Sequence, residues 1–351
     1  MRVRILLMGF GNVGKGFCRL LSEKSKFIEK HWGLEPEVVG ICTRTMGVIY
    51  DPVGLDMELI LSENGGNDLF EKADSSVYES PYDAVSGGHY DVLAECTVTS
   101  ADGRGPALEY MRNALSRGKS VITTNKGPIA FFFRELNELA CRTGAKLLFG
   151  GTVMSGTPIF DATVGGLAGS NISCFEGVLN GTSNYMLDLM QEGLDYDSAL
   201  GKAREMGFAE ADPSMDIEGL DTALKAMILS QVLWKAGVPG PGNLNIRGIS
   251  HLDRDLFRVA NEKHERVRLL ARGERTNGEC IISVKPASLL PCHPLYNLPG
   301  VLNGLVISTD TIGPVCLIGA GAGARATGFA LLHDLLSLYI TVEHLPERSI
   351  M

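Results

Sequence analysis

A short apolar segment, a glycine-rich turn and a helical pattern open the chain, and few folds accommodate that order. Residues Val3 to Met8 are apolar, and Gly9, Gly11 and Gly14 follow before an amphipathic helical pattern begins. In such a turn the first glycine permits a tight bend, the second lets the backbone approach a pyrophosphate, and the third lets helix and strand pack closely. The helix N-terminus also presents N–H groups and positive potential to phosphates. An ordinary strand-to-helix turn is the alternative, but the context favours a dinucleotide site formed by Gly9, Gly11, Asn12, Val13 and Gly14.

Strand-like and helix-like patterns alternate over the first 150 residues. Apolar segments typical of strands lie at 38–42, 91–97, 120–123 and 145–149, and helical patterns lie at 106–115 and 128–141. The mixed, polar region 44–85 contains one expected short helix near 55–61. Because strands that alternate with helices form parallel sheets, this half of the chain predicts an α/β fold with a Rossmann-type doubly wound parallel sheet.

The pattern changes after Gly150. Helices are expected from Pro158 onwards and at 183–191, 196–206 and 216–236, with a strand at 171–179. Residues 255–318 are expected to be rich in strands, near 266–272, 280–284, 302–308 and 315–318, before a last helix at 327–339. Helices followed by a run of strands predict an α+β domain.

Composition and charge disfavour several classes of protein. The chain has 351 residues, 45% of them hydrophobic, and a formal net charge of −9. This length suffices for a large core and two domains. The negative charge argues against nucleic acid or an anionic membrane as a partner, and no apolar run approaches the roughly 20 residues that span a bilayer. The scattered cysteines form no Cys-x-x-Cys, so we expect reduced thiols and a cytoplasmic location.

Two opposite charges occur within an apolar helical pattern. An α-helix turns about 100° per residue, so Lys225 lies roughly 40° from Asp221 on the predicted helix. The β-branched residues Ile217, Ile228 and Val232 fall on the same flank. Charges among apolar neighbours are unfavourable unless they are paired or used. The pattern therefore predicts a buried functional pair, and the alternative is a surface pair at i and i+4.

The acidic residues that precede this helix have two interpretations. Glu210, Asp212, Asp216 and Glu218 follow one another within a short segment. They are candidates for binding a cationic or hydroxyl-bearing substrate. They also fit a charge cluster at a helix N-terminus, with Asp212 or Ser214 as the cap. We favour the cluster for Asp212 and Glu218, and a site role for Glu210 and Asp216.

Two basic residues follow predicted strands in the first half of the chain. Arg44 comes directly after the second strand, where an acidic residue favours NAD and an arginine favours the 2′-phosphate of NADP. Lys126 follows the fourth strand, at the sheet edge where ligands bind in open α/β folds. Solvated surface residues are the alternative for both. The sequence therefore predicts an NADP preference and a ligand-facing Lys126.

These motifs together resemble the homoserine dehydrogenase family over nearly the whole chain. They are the glycine turn at 9–14, Thr-Thr-Asn-Lys at 123–126, Asn-Gly-Thr-Ser-Asn-Tyr at 180–185, the spaced acids and lysine from 210 to 225, and the Gly-Ala run at 319–324. The resemblance implies NAD(P)-dependent interconversion of L-homoserine and L-aspartate 4-semialdehyde, a step in the biosynthesis of threonine, methionine and isoleucine.

The resemblance also implies roles for individual residues. Lys225 and Lys126 would lie at the reacting centre, and the residues leave open which lysine transfers the proton, with Lys225 favoured. Asp221 and Glu210 would complete the catalytic set by holding the substrate. The pocket would include Gly181, Thr182, Asp216 and Glu210. Cofactor contacts beyond the glycine turn would come from Arg44, Thr97, Lys126 and Gly321.

Domain organisation, assembly and ion binding follow from the same resemblance. Residues 1–150, completed by 319–351, would bind the dinucleotide, and residues 151–318 would bind substrate, catalyse the reaction and dimerise. The strand-rich region could supply the homodimer interface, or it could only complete its own domain. Gly150 stands where the family often has Glu, so a monovalent cation, Na+ or K+, would rely on backbone oxygens of Val153 and Ser155. Phe208 stands where the family often has Tyr. A C-terminal regulatory domain is not expected.

Two other functions would be compatible with a dinucleotide-binding fold. An aldehyde-oxidising dehydrogenase needs a cysteine nucleophile that forms a thioester, and no cysteine here follows a loop-to-helix turn beside a basic partner. A non-catalytic NADP-binding protein could share the fold. The combination of Lys126, Glu210, Asp221 and Lys225 argues against that alternative.

Overall fold

The computed structural model describes residues 1–62, 77–240, 242–276 and 278–340. The chain divides into two compact units. The first unit comprises Met1–Ser155 and Gly323–Met351, and the second comprises Gly156–Ala322. None of the helices in the described ranges is long and apolar enough to cross a membrane.

The first unit contains a sheet with the strand order β3-β2-β1-β4-β5-β6. Its strands are β1 (Arg2–Met8), β2 (Glu35–Thr43), β3 (Gly47–Tyr50), β4 (Val92–Glu95), β5 (Ser120–Thr123) and β6 (Leu147–Leu148). All neighbouring pairs are parallel except β2 with β3. The Rossmann-type doubly wound sheet is confirmed, since the five predicted strands are parallel, and the edge strand β3, which was not predicted, is antiparallel to β2. Residues 44–46 are too few for a crossover, so the chain can only return as an antiparallel hairpin.

The helices of the first unit cover this sheet. They are α1 (Asn12–Trp32), α2 (Met57–Leu61), α3 (Pro81–Gly87), α4 (Pro106–Ser116), α5 (Lys126–Thr143) and, from the C-terminal segment, α11 (Ala324–Ser337). The apolar face of α1 is buried in the core, and the helix ends at Gly33, whose φ of 63° is the left-handed conformation of a helix C-cap. The expected helix near 55–61 is α2, while residues 63–76 of the polar region lie outside the described ranges.

Close packing of α1 against α11 depends on small residues. A Cβ atom on Gly16 would lie 2.2 Å from the carbonyl oxygen of Ala324, and one on Gly328 would lie 2.6 Å from the carbonyl carbon of Gly16. The C-terminal helix is therefore an integral part of the first unit. It begins at Ala324, three residues earlier than the sequence pattern indicated.

The second unit is an α+β structure, as predicted. Its sheet has the order β12-β11-β7-β9-β10-β8, and only β8 pairs in parallel with its neighbour. The strands are β7 (Ile172–Val178), β8 (Leu244–Ile246), β9 (Arg266–Thr276), β10 (Glu279–Leu289), β11 (Leu302–Thr309) and β12 (Gly313–Ala320). The helices are α6 (Gly181–Gln191), α7 (Tyr196–Glu205), α8 (Ser214–Ile217), α9 (Leu220–Trp234) and α10 (Arg254–Glu262).

The single helix expected at 216–236 is wrong, because the chain breaks at Gly219. This glycine has a φ of 80° and separates α8 from α9. Ile217 therefore belongs to the preceding helix, and Val232 is only partly buried. The apolar flank that was expected around Asp221 and Lys225 on one continuous helix is therefore not formed. Nearly every side chain of α9 is buried, including both of its charges. Burial of the pair follows from the position of the whole helix, not from one flank.

Two further expectations differ from the structure. Residues 254–262 form helix α10, although the region from 255 was expected to be β-rich. This segment starts with Asp253 as an N-cap and buries Phe257 and Ala260 on one side, which is a helical spacing. The helix expected from Pro158 is present but short: helical backbone begins at Ile159 and ends with the π-helical turn Asp161–Gly165.

Candidate functional site

The glycine turn after β1 has the shape that a pyrophosphate requires. Gly9 has a φ of 94°, and a Cβ atom there would lie 2.9 Å from the carbonyl oxygen of Cys96. A Cβ atom on Gly14 would lie 2.4 Å from the carbonyl oxygen of Gly9, whereas one on Gly11 would meet nothing within 4 Å. Gly11 is also the N-cap of α1, and no acidic residue occupies the first turn. The open side at Gly11 and the helix N-terminus fit a dinucleotide phosphate.

The two predicted neighbours of this turn, Asn12 and Arg44, are both exposed. The N–H of Gly9 donates to the carbonyl of Cys42 over 2.8 Å, which fixes the turn against the end of β2. Arg44 lies two residues further along, beyond the end of that strand. Val13, by contrast, is partly buried on α1 and packs against the core.

A buried carboxylate that the sequence reasoning missed joins the ends of β4 and β5. Glu95 is fully shielded from water. It accepts hydrogen bonds from the backbone N–H of Thr97 over 2.9 Å, from the Thr97 hydroxyl, and from the Thr123 hydroxyl over 3.1 Å. Burial raises the pKa of Glu95, against the opposing effect of these hydrogen bonds. An acidic residue at the end of an apolar strand was the available signal.

Lys126 is the first residue of α5 and is partly buried. Asn125 precedes it as the N-cap residue, and its N–H donates to the Thr123 hydroxyl over 3.0 Å. Thr97, Asn125 and Lys126 therefore belong to one connected region at the ends of β4 and β5. This is the edge of the sheet where a doubly wound fold binds its ligand.

In the second unit, Asp221 and Lys225 form a buried ion pair. The Lys225 Nζ lies 2.7 Å from the Asp221 Oδ2, and the residues are only 7% and 8% exposed, respectively. The ammonium also donates to the backbone carbonyl of Leu179 over 2.5 Å. The predicted burial is confirmed, and the alternative of a solvated surface pair is wrong.

Asp216 joins this pair through a shared partner. The Asn180 side-chain amide donates to the Asp216 Oδ1 over 2.6 Å and to the Asp221 Oδ2 over 3.0 Å. Burial raises the pKa of Asp216, and the negative charge of Asp221 raises it further. The hydrogen bond from Asn180 acts in the opposite direction without reversing the shift. The sequence motif contained Asn180, but its role was not predicted.

The other predicted substrate-binding residues lie near Asn180 or Asp216 in the sequence, but they differ in exposure. Thr182 is buried, and its hydroxyl donates to the carbonyl of Phe208 over 2.6 Å, which ties α6 to the loop after α7. Gly181 is tightly packed, since a Cβ atom there would lie 2.8 Å from the Val301 carbonyl oxygen. Glu210, in the same loop as Phe208, is exposed, and no hydrogen bond or ion pair to another described residue holds its carboxylate.

Asn303 of β11 supports the same cluster and was not predicted. With its amide oriented to satisfy both neighbours, it donates to the Leu179 carbonyl and accepts from the Asn180 N–H, each over 3.2 Å. A Cβ atom on Gly321 would lie 1.5 Å from this amide. Packing against Asn303 is thus one reason for a glycine at 321. Its role as a cofactor contact stays a prediction.

The predicted cation residues form a buried turn at the end of the first unit. Val153 is fully buried, and Met154 has a φ of 48°, which is uncommon for a residue with a side chain. The Ser155 hydroxyl donates to the Gly151 carbonyl over 2.9 Å. These contacts fix the turn, and cation binding by the Val153 and Ser155 backbone stays a prediction.

Comparison with known proteins gives a consistent result over nearly the full length. A model of the homoserine dehydrogenase family matches residues 158–336. The NAD(+)-dependent homoserine dehydrogenase of Pseudomonas canavaninivorans is 33% identical over 349 residues, which cover 99% of each chain. The homoserine dehydrogenase of Pyrococcus horikoshii is 35% identical, with 96% of this chain and 97% of the relative covered.

Solved structures agree with the sequence comparisons. A homoserine dehydrogenase from Thiobacillus denitrificans superposes with a TM-score of 0.83 at 28% identity, covering 100% of this chain and 76% of that one. A hyperthermophilic archaeal homoserine dehydrogenase in complex with NADPH has a TM-score of 0.82 at 32% identity, covering 97% and 99%. These similarities favour a dehydrogenase over a non-catalytic nucleotide-binding protein. The chain therefore belongs to the homoserine dehydrogenase family.

Proposed function

We propose that this homoserine dehydrogenase uses Lys225, oriented by Asp221, to transfer the proton in the interconversion of L-homoserine and L-aspartate 4-semialdehyde. The bound nicotinamide coenzyme supplies or accepts the hydride. In the reducing direction, the Lys225 ammonium polarises the aldehyde oxygen and gives it a proton as the alcohol forms. In the oxidising direction, the neutral amine takes the proton back from the hydroxyl. The observation that carries this proposal is the buried contact of 2.7 Å between Lys225 and Asp221.

The surroundings of Lys225 support an acid–base role over a purely structural one. Its ammonium has a carboxylate on one side and the Leu179 carbonyl on the other. A buried ion pair contributes little net stability compared with apolar residues of the same size. Two charges placed inside a nearly wholly buried helix therefore need a reason other than stability, and positioning one titratable amine supplies it.

The remaining polar residues have proposed roles in binding. The carboxylates of Asp216 and Glu210 attract the ammonium group of the amino-acid substrate, and Asp221 orients both Lys225 and the substrate hydroxyl. Gly181 and Thr182 shape the pocket. Lys126 contributes positive charge at the reacting oxygen. The exposure of the Glu210 side chain and the raised pKa of Asp216, which burial and the charge of Asp221 cause, support this division.

The proton-transfer role is tested by replacing Lys225 and measuring homoserine-dependent absorbance at 340 nm. Lys225→Ala should reduce kcat by at least about 100-fold, the lower end for losing a general acid–base group, with nearly unchanged coenzyme affinity. Lys202→Ala removes an exposed lysine of the same unit and should have no effect. Because Lys225→Ala leaves Asp221 unpaired, the double variant Asp221→Asn/Lys225→Met should fold better and be equally inactive. An unchanged kcat in Lys225→Ala removes Lys225 from the mechanism.

The coenzyme proposal is a preference for NADP over NAD, in which Arg44 binds the 2′-phosphate. Its exposed position beyond β2, close to the Cys42 carbonyl that anchors Gly9, supports this role. Arg44→Ala should weaken NADP binding by about 10-fold or more, in keeping with a charged hydrogen bond of about 1.5–3 kcal/mol, and should leave NAD binding almost unchanged. Arg134→Ala, an exposed arginine on α5, is the control. Equal effects on both coenzymes contradict the preference.

The proposal also includes a cytoplasmic homodimer with a monovalent cation. Exposed isoleucine side chains on the sheet of the second unit, Ile281 and Ile318, support dimerisation, and the turn at Val153 and Ser155 supports the cation. Cation dependence is tested by comparing activity in sodium or potassium chloride with activity in choline chloride at equal ionic strength. Equal rates in all three salts contradict the cation.

A further inference from the structure

The side chain of Asn180 has two different tasks at the junction of β7 and α6. Its Oδ1 accepts the N–H of Ser183 over 2.9 Å and thereby caps α6. Because the oxygen is fixed by a backbone donor, the NH₂ group must face the other way, where it donates to Asp216 and Asp221. Asn180 is only 5% exposed, so water does not replace these bonds readily.

Asparagine is well suited to this position. It offers one amide oxygen and two N–H donors on a short side chain, so it can cap a helix and bridge two carboxylates at once. An aspartate would cap the helix but would only accept hydrogen bonds. A serine would cap it but has one short donor. The position therefore demands the double donor, not merely a polar cap.

The backbone at the same junction contacts the remaining charge. The carbonyl of Leu179, the residue before Asn180, accepts from the Lys225 ammonium over 2.5 Å and from the Asn303 amide over 3.2 Å. The Asn180 N–H donates to the same Asn303 side chain. One dipeptide thus holds the ammonium by its carbonyl and both carboxylates by its side chain.

We propose that Asn180 is a positioning residue of the reaction. Its side-chain amide keeps the Asp216 and Asp221 carboxylates separated and oriented towards the substrate, and its hydrogen bond as the cap of α6 fixes the amide. The inference rests on the proposed roles of Asp216, Asp221 and Lys225. Without the bridging amide, the two carboxylates would face one another with only Lys225 to separate their charges.

The electrostatic environment determines what a change at this position does. In the described part of the chain, the charged groups that act on the Asp216 carboxyl are Asp221 and Lys225 of α9, while the Asn180 amide gives it a hydrogen bond. Replacing the amide by a carboxylate removes a donor and adds a negative charge. Both changes favour protonation of Asp216 and Asp221. The ionised forms then prevail only at higher pH.

The test compares pH profiles of kcat/KM for homoserine. Asn180→Asp keeps the cap and should lower kcat/KM at neutral pH by about 10- to 100-fold, the value of a hydrogen bond to a charged group, and should move the acidic limb of the profile to higher pH. Coenzyme affinity should not change. An unaltered acidic limb in a folded Asn180→Asp protein overturns the proposal.

Matched variants separate positioning from capping. Asn180→Ser, which keeps a capping oxygen and adds no charge, should also lose at least about 10-fold in kcat/KM, and it serves if Asn180→Asp does not fold. Asp195→Ala removes the exposed side chain that caps α7 by accepting from the Ser198 N–H, and it should lower thermal stability without altering the pH profile. Full activity in Asn180→Ser overturns the proposal.

Failure of the underlying function is distinguishable from failure of this inference. If Lys225→Ala retains its kcat, the proposed proton transfer is wrong whatever happens at Asn180. If Lys225→Ala is inactive while Asn180→Ser and Asn180→Asp behave as wild type, the proton-transfer proposal stands and only the positioning role of Asn180 falls.

Discussion

Burial changes the properties of three common side chains, Asp221, Lys225 and Glu95. Lys225 and Asp221 would be a weak surface pair in water, but in α9 they are shielded and held in one geometry. Glu95 is an acid without a cationic partner among the bonds that hold it, and neutral donors from Thr97 and Thr123 surround it. Its raised pKa is the physical consequence of that burial.

Replacing Glu95 by Gln should change how stability depends on pH. The folded pKa of Glu95 lies above its ordinary value of 4.5, mainly because of burial. A carboxyl group with a raised folded pKa stabilises the folded state below its unfolded pKa, and that contribution is lost as pH rises through the folded pKa. Glu95→Gln removes this loss and keeps an acceptor for Thr97. Urea unfolding at several pH values should therefore show the variant gaining stability relative to wild type from about pH 4.5 upwards.

The control for Glu95→Gln is Glu138→Gln, which replaces an exposed acid on α5 of the same unit. Its stability relative to wild type should be nearly independent of pH. A constant difference between Glu95→Gln and wild type across the same range would contradict the prediction. It would mean that the buried carboxyl does not titrate differently in the folded protein.

In the second unit, two junctions between elements bring the polar side chains around Asn180 together. The β7–α6 junction presents Asn180, and the break at Gly219 separates Asp216 on α8 from Asp221 on α9. In one continuous helix, these residues would keep the fixed spacing of five positions along its surface. The left-handed conformation at Gly219 changes the chain direction, and both carboxylates reach the same amide.

Gly219→Ala should impair both stability and activity. The φ of 80° at this position costs an L-residue roughly 1–2 kcal/mol, and a Cβ atom would also lie 3.1 Å from the Val284 Cγ1. We expect a loss of about 1–2 kcal/mol in urea unfolding and a lower kcat/KM because α8 and α9 shift relative to Asn180. Gly144→Ala is the control, since Gly144 has a φ of 74°, with no atom near its absent Cβ. It should lose stability alone; an equal loss of activity in both variants would contradict the idea.

In the molecule as a whole, the candidate functional residues are divided between the two compact units. The first contains the glycine turn, Arg44 and Lys126, and the second contains the cluster of Asn180 and Lys225. The second unit also leaves apolar side chains exposed, among them Ile281 on β10 and Ile318 on β12, with Leu290 and Ile312 in the segments next to these strands. Exposed apolar side chains of this kind are typical of a subunit interface when they are contiguous.

Ile318→Glu should weaken the proposed homodimer. Ile318 is 49% exposed on β12, and a charge at the core of an interface loses its hydration without gaining a partner. Sedimentation velocity should show dimeric wild type and a larger monomer fraction for the variant. Val238→Glu, which charges an apolar side chain of similar exposure in a loop, should leave the assembly unchanged. A monomeric wild-type protein would refute the dimer.

Local sequence patterns predicted most of the strands and helices and part of the candidate site, but not β3, α10 or the break at Gly219. The turn at Gly9 to Gly14 has its predicted conformation because glycine conformations and strand-to-helix geometry are local properties. The Rossmann-type fold and the α+β character of the second unit followed from the order of strands and helices. Asp221 and Lys225 were identified because they interrupt an apolar pattern, although the detailed flank that was used to place them was wrong.

Only the tertiary structure decided which side chains meet. Asn303 on β11 and Asn180 after β7 come together because β7 and β11 pair in the sheet, and no local signal marks that contact. The complete burial of Glu95 likewise depends on neighbours that are distant in the chain, such as Thr123. Conformational preference acts within a few residues, so the sequence alone determines turns, helices and the family of the fold. Burial, hydrogen-bond partners and pKa depend on the packed surroundings, which exist only after folding.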